Sequence, residues 1–145
     1  MDTSSPARLY CVLVGGVLVL VGLLGFAYDA SFDVGDKVQS DKVFGAFAVN
    51  GWHNLVHLAI GVVLLVGARG AARSTAMLVG ILYLVLAALG FIATGGDGIE
   101  FIAENGVLID LVPVNDEDNW LHVALGVTGV LAALASGRRV APARA

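Results

Sequence analysis

The stretch STAMLVGILYLVLAALGFIATGG, residues 74–96, contains 23 residues and no charged side chain. A helix needs about 20 mostly apolar residues to cross the hydrocarbon core of a membrane. Three further stretches of similar length also lack charge: 9–28, 43–68 and 119–137. Together the four stretches predict membrane-spanning helices at about 8–27, 51–68, 74–94 and 116–136. We interpret the first as a retained helix rather than a signal peptide, because its apolar run is too long.

The composition supports a membrane protein. Of 145 residues, 58% are hydrophobic and 14% charged, whereas a soluble domain is nearer half apolar and a quarter charged. The length fits one domain, residues 1–145. A net charge of −4 argues against a nucleic-acid-binding protein. With Cys11 as its one cysteine, the chain has neither an internal disulfide nor a cysteine-based metal cluster.

The distribution of charge predicts the orientation in the membrane. All six arginines lie at the N-terminus, in the connection between the second and third stretches, or at the C-terminus: Arg8, Arg69, Arg73, Arg138, Arg139 and Arg144. With Asp2 these regions sum to +5, while the other two connections hold both lysines and eleven acids and sum to −9. Because basic residues stay in the cytoplasm, we expect a multi-pass protein with both termini cytoplasmic and both long loops outside.

The chain also contains an internal repeat. A shift of 65 residues aligns Asn54-x-x-His57-x-Ala59-x-Gly61-Val62 with Asn119-x-x-His122-x-Ala124-x-Gly126-Val127. The repeat units are about 8–72 and 73–137, followed by a cytoplasmic tail at 138–145. Each unit contains two spans, so the copies share one orientation and are related by an axis along the membrane normal.

Small residues recur on one face of each predicted helix at spacings of three and four. We call this set the packing seam: Gly15, Gly22, Gly25, Gly61, Gly80, Gly90, Gly126 and Gly129. Small residues let helix backbones approach closely in lipid. The expected fold is therefore all-α, an antiparallel four-helix transmembrane bundle built from a duplicated two-helix hairpin. Asn50 and Asn115 stand where the N-caps of the second and fourth helices are needed.

His53, His57 and His122 carry most of the chemistry that the chain can support. The spacing of His53 and His57 places two imidazoles one helical turn apart, which suits a metal ion. His57 and His122 lie at equal depth and can also ligate a haem iron or serve a proton or ion pathway. The simplest interpretation is a hydrogen-bond network with Asn54 and Asn119, one turn before the histidines. No cofactor is favoured, and closely packed helices leave little room for haem.

Three phrases suggest a family. They share an order along the chain: Val21-Gly22-Leu-Leu-Gly25-Phe26, Ala48-Val49-Asn50 before His53-Asn54-x-x-His57, and Pro113-Val114-Asn115 before Asp118-Asn119-x-Leu121-His122. This order resembles a family of small four-span prokaryotic membrane proteins that is classed as a domain of unknown function. The resemblance implies the four-span fold in a prokaryotic cell membrane and no assigned activity, substrate or cofactor. Ala48 departs from the repeat, because its equivalent is Pro113.

Two functions are compatible with these features. The first is a non-enzymatic integral membrane protein that lies in the lipid bilayer and assembles with itself or with other membrane proteins. The alternative is a redox or sensing protein that binds a metal ion or haem through His57 and His122. The predicted spans contain no nucleophile–base pair, phosphate-binding loop or pair of catalytic carboxylates, so we do not expect a hydrolase or a kinase.

Overall fold

Residues 5–96, 98–99 and 102–137 are described by the structure, a computed structural model. They are mostly helical, and their four α-helices are α1 (Pro6–Gly25), α2 (Gly51–Gly67), α3 (Ala72–Thr94) and α4 (Asp116–Ala135). The predicted helix bounds differ from these by at most two residues at either end. The predicted cytoplasmic tail, 138–145, lies outside the described residues.

Three of the helices are long and apolar enough to cross a membrane: α1, α3 and α4, with 20, 23 and 20 residues. Helix α2 is also apolar but has 17 residues. Large apolar side chains point outward from these helices, for example Leu20 and Leu78, each 68% exposed. An exposed apolar surface of this kind suits contact with lipid rather than with water.

Helices α1 and α2 pack through their glycines. A Cβ added to Gly15 would meet Leu64 and the Gly61 carbonyl at about 3 Å, and one added to Gly22 would meet the backbone of Asn54 at 2.8 Å. The partner's residue number falls as the number along α1 rises, so the two helices run antiparallel. The glycines are therefore required for this close approach.

Helices α3 and α4 pack in the same way. A Cβ on Gly80 would meet backbone atoms of Val130, Gly126 and Gly129 at 2.7–3.1 Å. At the other end of the pair, Gly90 lies against Asn119. These helices also run antiparallel, and their contacts fall 65 residues after those of the first pair.

The connections between α1 and α2 and between α3 and α4, which we call the outer loops after their predicted position, contain short strands, so the all-α prediction is incomplete there. The first forms the hairpin β1 (Asp41–Val43) and β2 (Phe47–Val49); the second forms the antiparallel sheet β3 (Ala103–Glu104), β4 (Val107–Leu108) and β5 (Val112–Pro113). Backbone groups packed over the helix ends must find hydrogen-bond partners, and short strand pairs provide them. Asn105 and Gly106 both have positive φ and form the turn between β3 and β4, as this residue pair favours.

Candidate functional site

The structure brings the three histidines together between α2 and α4. His53, His57 and His122 are 2%, 9% and 5% exposed. One ring nitrogen of each lies within 4.8 Å of those of the other two. The ring of His53 is centred 4.4 Å from that of His57 and 6.4 Å from that of His122. The residues predicted as candidate ligands thus form one buried cluster, which we call the histidine cluster.

Two asparagine caps set the position of this cluster. The side-chain oxygen of Asn50 accepts from the backbone N–H of His53, and that of Asn115 accepts from the N–H of Asp118, each at 2.9 Å. His57 and His122 each follow their cap by seven residues, so both lie about 10 Å along their helices. His53 lies one turn before His57 on the same face.

The histidines are not bonded to the asparagines predicted as their partners. The amide of Asn54 donates to the Asp29 carbonyl at 2.8 Å, and that of Asn119 donates to the Thr94 hydroxyl at 3.4 Å. Within the described part of the chain, Nδ1 of each of the three histidines is buried without a hydrogen-bond partner. Buried polar atoms are usually paired, so these three nitrogens call for an explanation.

Asn54 and Asn119 instead contact the partner helix within each hairpin, at the end where the outer loop begins. Each side-chain oxygen lies against a glycine of the partner helix, Gly25 for Asn54 and Gly90 for Asn119, where any Cβ would overlap it. The sequence spacing identified these four residues, whereas the direction of the amide could not be predicted because it depends on the loop backbone.

Position 53 differs from its equivalent, Asp118. One carboxylate oxygen of Asp118 accepts from the Ala48 N–H at 3.0 Å and from the Asn115 N–H at 3.1 Å. Pro113 is the equivalent of Ala48 and has no N–H. The residue at position 53, the equivalent of Asp118, therefore has no backbone N–H from Pro113 to accept. The carbonyls of Ala48 and Pro113 instead lie beside His53 as hydrogen-bond acceptors. Position 53 therefore lacks the N–H donor that Ala48 supplies to Asp118.

Each outer loop is fixed to the cap of the opposite hairpin. The amide of Asn50 donates to the Leu111 carbonyl at 2.8 Å, and that of Asn115 donates to the Ala46 carbonyl. Ala46 and Leu111 are themselves 65 residues apart. The sequence analysis did not predict these two hydrogen bonds. Applying the 65-residue shift to the loops would have identified Ala46 and Leu111 as equivalent residues.

Two apolar cavities adjoin the histidine cluster. The smaller, of about 130 Å³, is lined by all three histidines and by Tyr83, whose ring is centred 5.2 Å from that of His122. The larger, of about 290 Å³, is lined by His57, His122 and Asp118 together with apolar side chains. In the sequence, Tyr83 falls on the same predicted helix face as Gly80 and Gly90, which indicated a packing role and not a place beside His122. The cluster therefore has open space on two sides.

The chain matches a known protein family over the whole of this site. No curated protein and no solved structure matches the chain. A family model matches residues 8–135, which include both asparagine caps, all three histidines and the two outer loops. The chain therefore belongs to the family described as a domain of unknown function (DUF4383).

Proposed function

We propose that this protein is a multi-pass membrane protein that binds one transition-metal ion through His53, His57 and His122. The observation that carries the proposal is the convergence of three buried imidazoles, with ring nitrogens within 4.8 Å of one another and every Nδ1 unpaired among the described residues. Imidazole nitrogens suit Zn²⁺ and copper ions. Three such ligands leave a fourth coordination position open.

The spacing of the nitrogens supports a single ion. Tetrahedral bonds of about 2.0–2.1 Å to zinc place ligand nitrogens about 3.4 Å apart. The observed upper limit of 4.8 Å is larger, so small rotations of the imidazoles complete the site. The carbonyls of Ala48 and Pro113 can orient His53, as outer hydrogen-bond partners of metal-bound histidines do. The 130 Å³ cavity that all three histidines line leaves room for a further small ligand.

The alternatives receive less support. A purely structural hydrogen-bond network needs partners for His57 and His122, and the amides of Asn54 and Asn119 bond elsewhere. A haem held between His57 and His122 would need its macrocycle in the space where His53 lies. A single metal ion needs neither hydrogen-bond partners for the histidines nor the space that His53 occupies.

The proposal includes four membrane spans and cytoplasmic termini. Helix α2, with 17 residues, rises about 25 Å, which lies at the short end of the range for spanning helices. The charge of +5 on one side and −9 on the other supports the orientation. In this arrangement the histidine cluster lies towards the outer face, beneath loops whose negative charge attracts cations. Duplication of a two-helix hairpin accounts for the repeated contacts.

Accessibility of introduced cysteines tests the orientation. In a Cys11→Ala background, Ser40→Cys and Glu104→Cys should react with a membrane-impermeant thiol reagent in intact cells, since both lie in the outer loops. Ala71→Cys, in the connection between α2 and α3, should react only after the cells are opened. Labelling of Ala71→Cys alone in intact cells would reverse the orientation.

Metal content tests the site. The protein is purified through a tag that contains no histidine, and bound metal is measured by elemental analysis together with the visible spectrum after Co²⁺ loading. We expect about one ion per chain and the intense absorption of a tetrahedral site. His53→Gln, His57→Gln and His122→Gln should each lose the ion, because the amide is a poor ligand for these metals.

Tyr83→Phe is the matched control, since it keeps the ring beside His122 and removes a group that is not a ligand. It should retain the ion and the Co²⁺ spectrum. The metal proposal is wrong if wild-type protein binds less than about a tenth of an equivalent of zinc, copper and cobalt, or if the three glutamine variants bind as wild type does.

A further inference from the structure

The two cavities beside the histidine cluster are equivalents under the repeat. The larger lies between α1 and α4 beneath the β1–β2 hairpin, and the smaller lies between α3 and α2 beneath β4 and β5. Many lining residues correspond after a shift of 65, as Val43 does to Leu108 and Leu125 does to Ile60. Both cavities end at His57 and His122. The fold therefore builds the same chamber twice, on opposite sides of one pair of imidazoles.

Equivalent lining residues differ in size in both directions: Phe44 and Phe47 of the larger cavity stand where the smaller has Ile109 and Val112. Two other differences match the volumes. The larger cavity is lined by Leu18 and Val21, whereas the smaller has the bulkier equivalents Tyr83 and Leu86. The volume of the larger cavity is about 290 Å³, and that of the smaller is about 130 Å³. An apolar cavity of about 150 Å³ is enough to bind benzene. The larger cavity, at about twice that volume, can thus hold a substituted six-membered ring, whereas the smaller lies below it.

The lining of the larger cavity defines the chemistry of its occupant. Phe44 and Phe47 supply flat aromatic walls, and Leu13 and Val17, both more than half exposed on the lipid-facing side of α1, stand at its opening. The polar groups of the lining are the imidazoles of His57 and His122, which can donate, and the carboxylate of Asp118, one oxygen of which already accepts from two backbone N–H groups. An occupant that enters from the bilayer must be apolar and planar, with a hydrogen-bond acceptor at its leading edge.

We propose that this cavity binds the ring of a lipid-soluble quinone, with a ring carbonyl directed at His57 and His122 and the tail in the bilayer. A quinone combines the required planar ring, carbonyl acceptors and apolar tail. The inference does not depend on a bound metal, because an imidazole that coordinates an ion through one nitrogen keeps an N–H on the other. No electron transfer is implied by the binding itself.

The repeat supplies the test variants. Leu18→Tyr places in the larger cavity the side chain that fills the smaller one, and Tyr83→Leu does the reverse. Leu23→Tyr, at a site on the exposed face of α1 (58% exposed), introduces the same residue outside the cavity and is the matched control. Val21→Leu copies Leu86 and serves as a milder filling change if Leu18→Tyr does not fold.

The probe is a decyl-substituted benzoquinone, added with a metal chelator to the detergent-solubilised protein. Quinone retained after gel filtration is extracted and measured by its absorbance against protein-free micelles. We expect about one equivalent for wild type and Leu23→Tyr, at least about tenfold weaker binding for Leu18→Tyr, weaker binding for Val21→Leu, and a second equivalent for Tyr83→Leu. Decylbenzene, which has no acceptor, should compete about tenfold less well than the quinone.

The quinone assignment fails if Leu18→Tyr and Val21→Leu both retain as much quinone as Leu23→Tyr does. It also fails if decylbenzene competes equally, since the chamber would then select only for apolar volume. Because the chelator removes any ion, loss of metal binding in the preceding experiment leaves these outcomes unchanged, and the two proposals can fail separately.

Discussion

The two hairpins are alike where their helices meet and at His57 and His122, and they differ in residues that surround these two histidines. In both, a glycine of the first helix packs against the second, an asparagine oxygen lies on a second glycine, and a capping amide reaches the opposite loop. The hairpins differ at many positions, and three of these differences concern the site: Ala48 against Pro113, His53 against Asp118, and Leu18 against Tyr83. The shared contacts hold each helix pair together, and the site combines the shared pair His57 and His122 with His53, which has no histidine equivalent.

The largest expected effect concerns how closely each hairpin packs. Gly80 faces backbone atoms of α4, which cannot move without separating the helices, whereas one of the three nearest atoms to Gly15, Cγ of Leu65, belongs to a side chain that can rotate away. Gly80→Ala should therefore lower the free energy of unfolding by about 3 kcal/mol, and Gly15→Ala by about 1–2 kcal/mol. Unfolding in detergent, followed by circular dichroism, measures both.

Gly16→Ala is the control for this pair, since a Cβ at Gly16 has no heavy atom within 4 Å. Its stability should stay within about 0.5 kcal/mol of wild type. Helix propensity favours alanine over glycine at both positions, so it cannot make either change damaging. If Gly16→Ala and Gly80→Ala are equally damaging, the cost does not come from the close approach of α3 and α4, and the glycines of the packing seam have no special role.

Much of the helical framework could be predicted from sequence, because lipid requires long charge-free runs and Asn50 and Asn115 have one obvious use as caps. The equal depth of His57 and His122 along their helices followed from the repeat, and so did the expectation that their side chains lie close together. The strands, the bond from Ala48 to Asp118 and the donation by Asn54 to a loop carbonyl could not be predicted. They depend on backbone paths in the outer loops, where no hydrophobic period constrains the chain.

Exchanging residues between equivalent positions tests why one hairpin has His53 where the other has Asp118. His53→Asp buries a carboxylate without the N–H donor that Ala48 gives to Asp118, and should cost about 2–3 kcal/mol in metal-free protein. Adding Pro113→Ala supplies that donor, so the double variant should recover about 1–2 kcal/mol. A double-mutant cycle measured by unfolding with chelator present gives the coupling energy. Strictly additive effects would mean that the missing N–H of Pro113 does not determine which side chain position 53 accepts.

The smallest expected effect lies in the turns that present the Ala46 and Leu111 carbonyls. Their second residues have positive φ in both copies, 70° at Gly45 and 56° at Asp110. Gly45→Ala has no steric neighbour within 4 Å, so its expected cost of about 1 kcal/mol comes from the left-handed backbone alone. Asp110→Gly removes a smaller strain, because aspartate tolerates this region, and should gain about 0.5 kcal/mol. The same unfolding assay measures both changes. If neither changes stability, these turns relax freely, and the bonds from Asn50 and Asn115 do not hold the loops in the observed conformation.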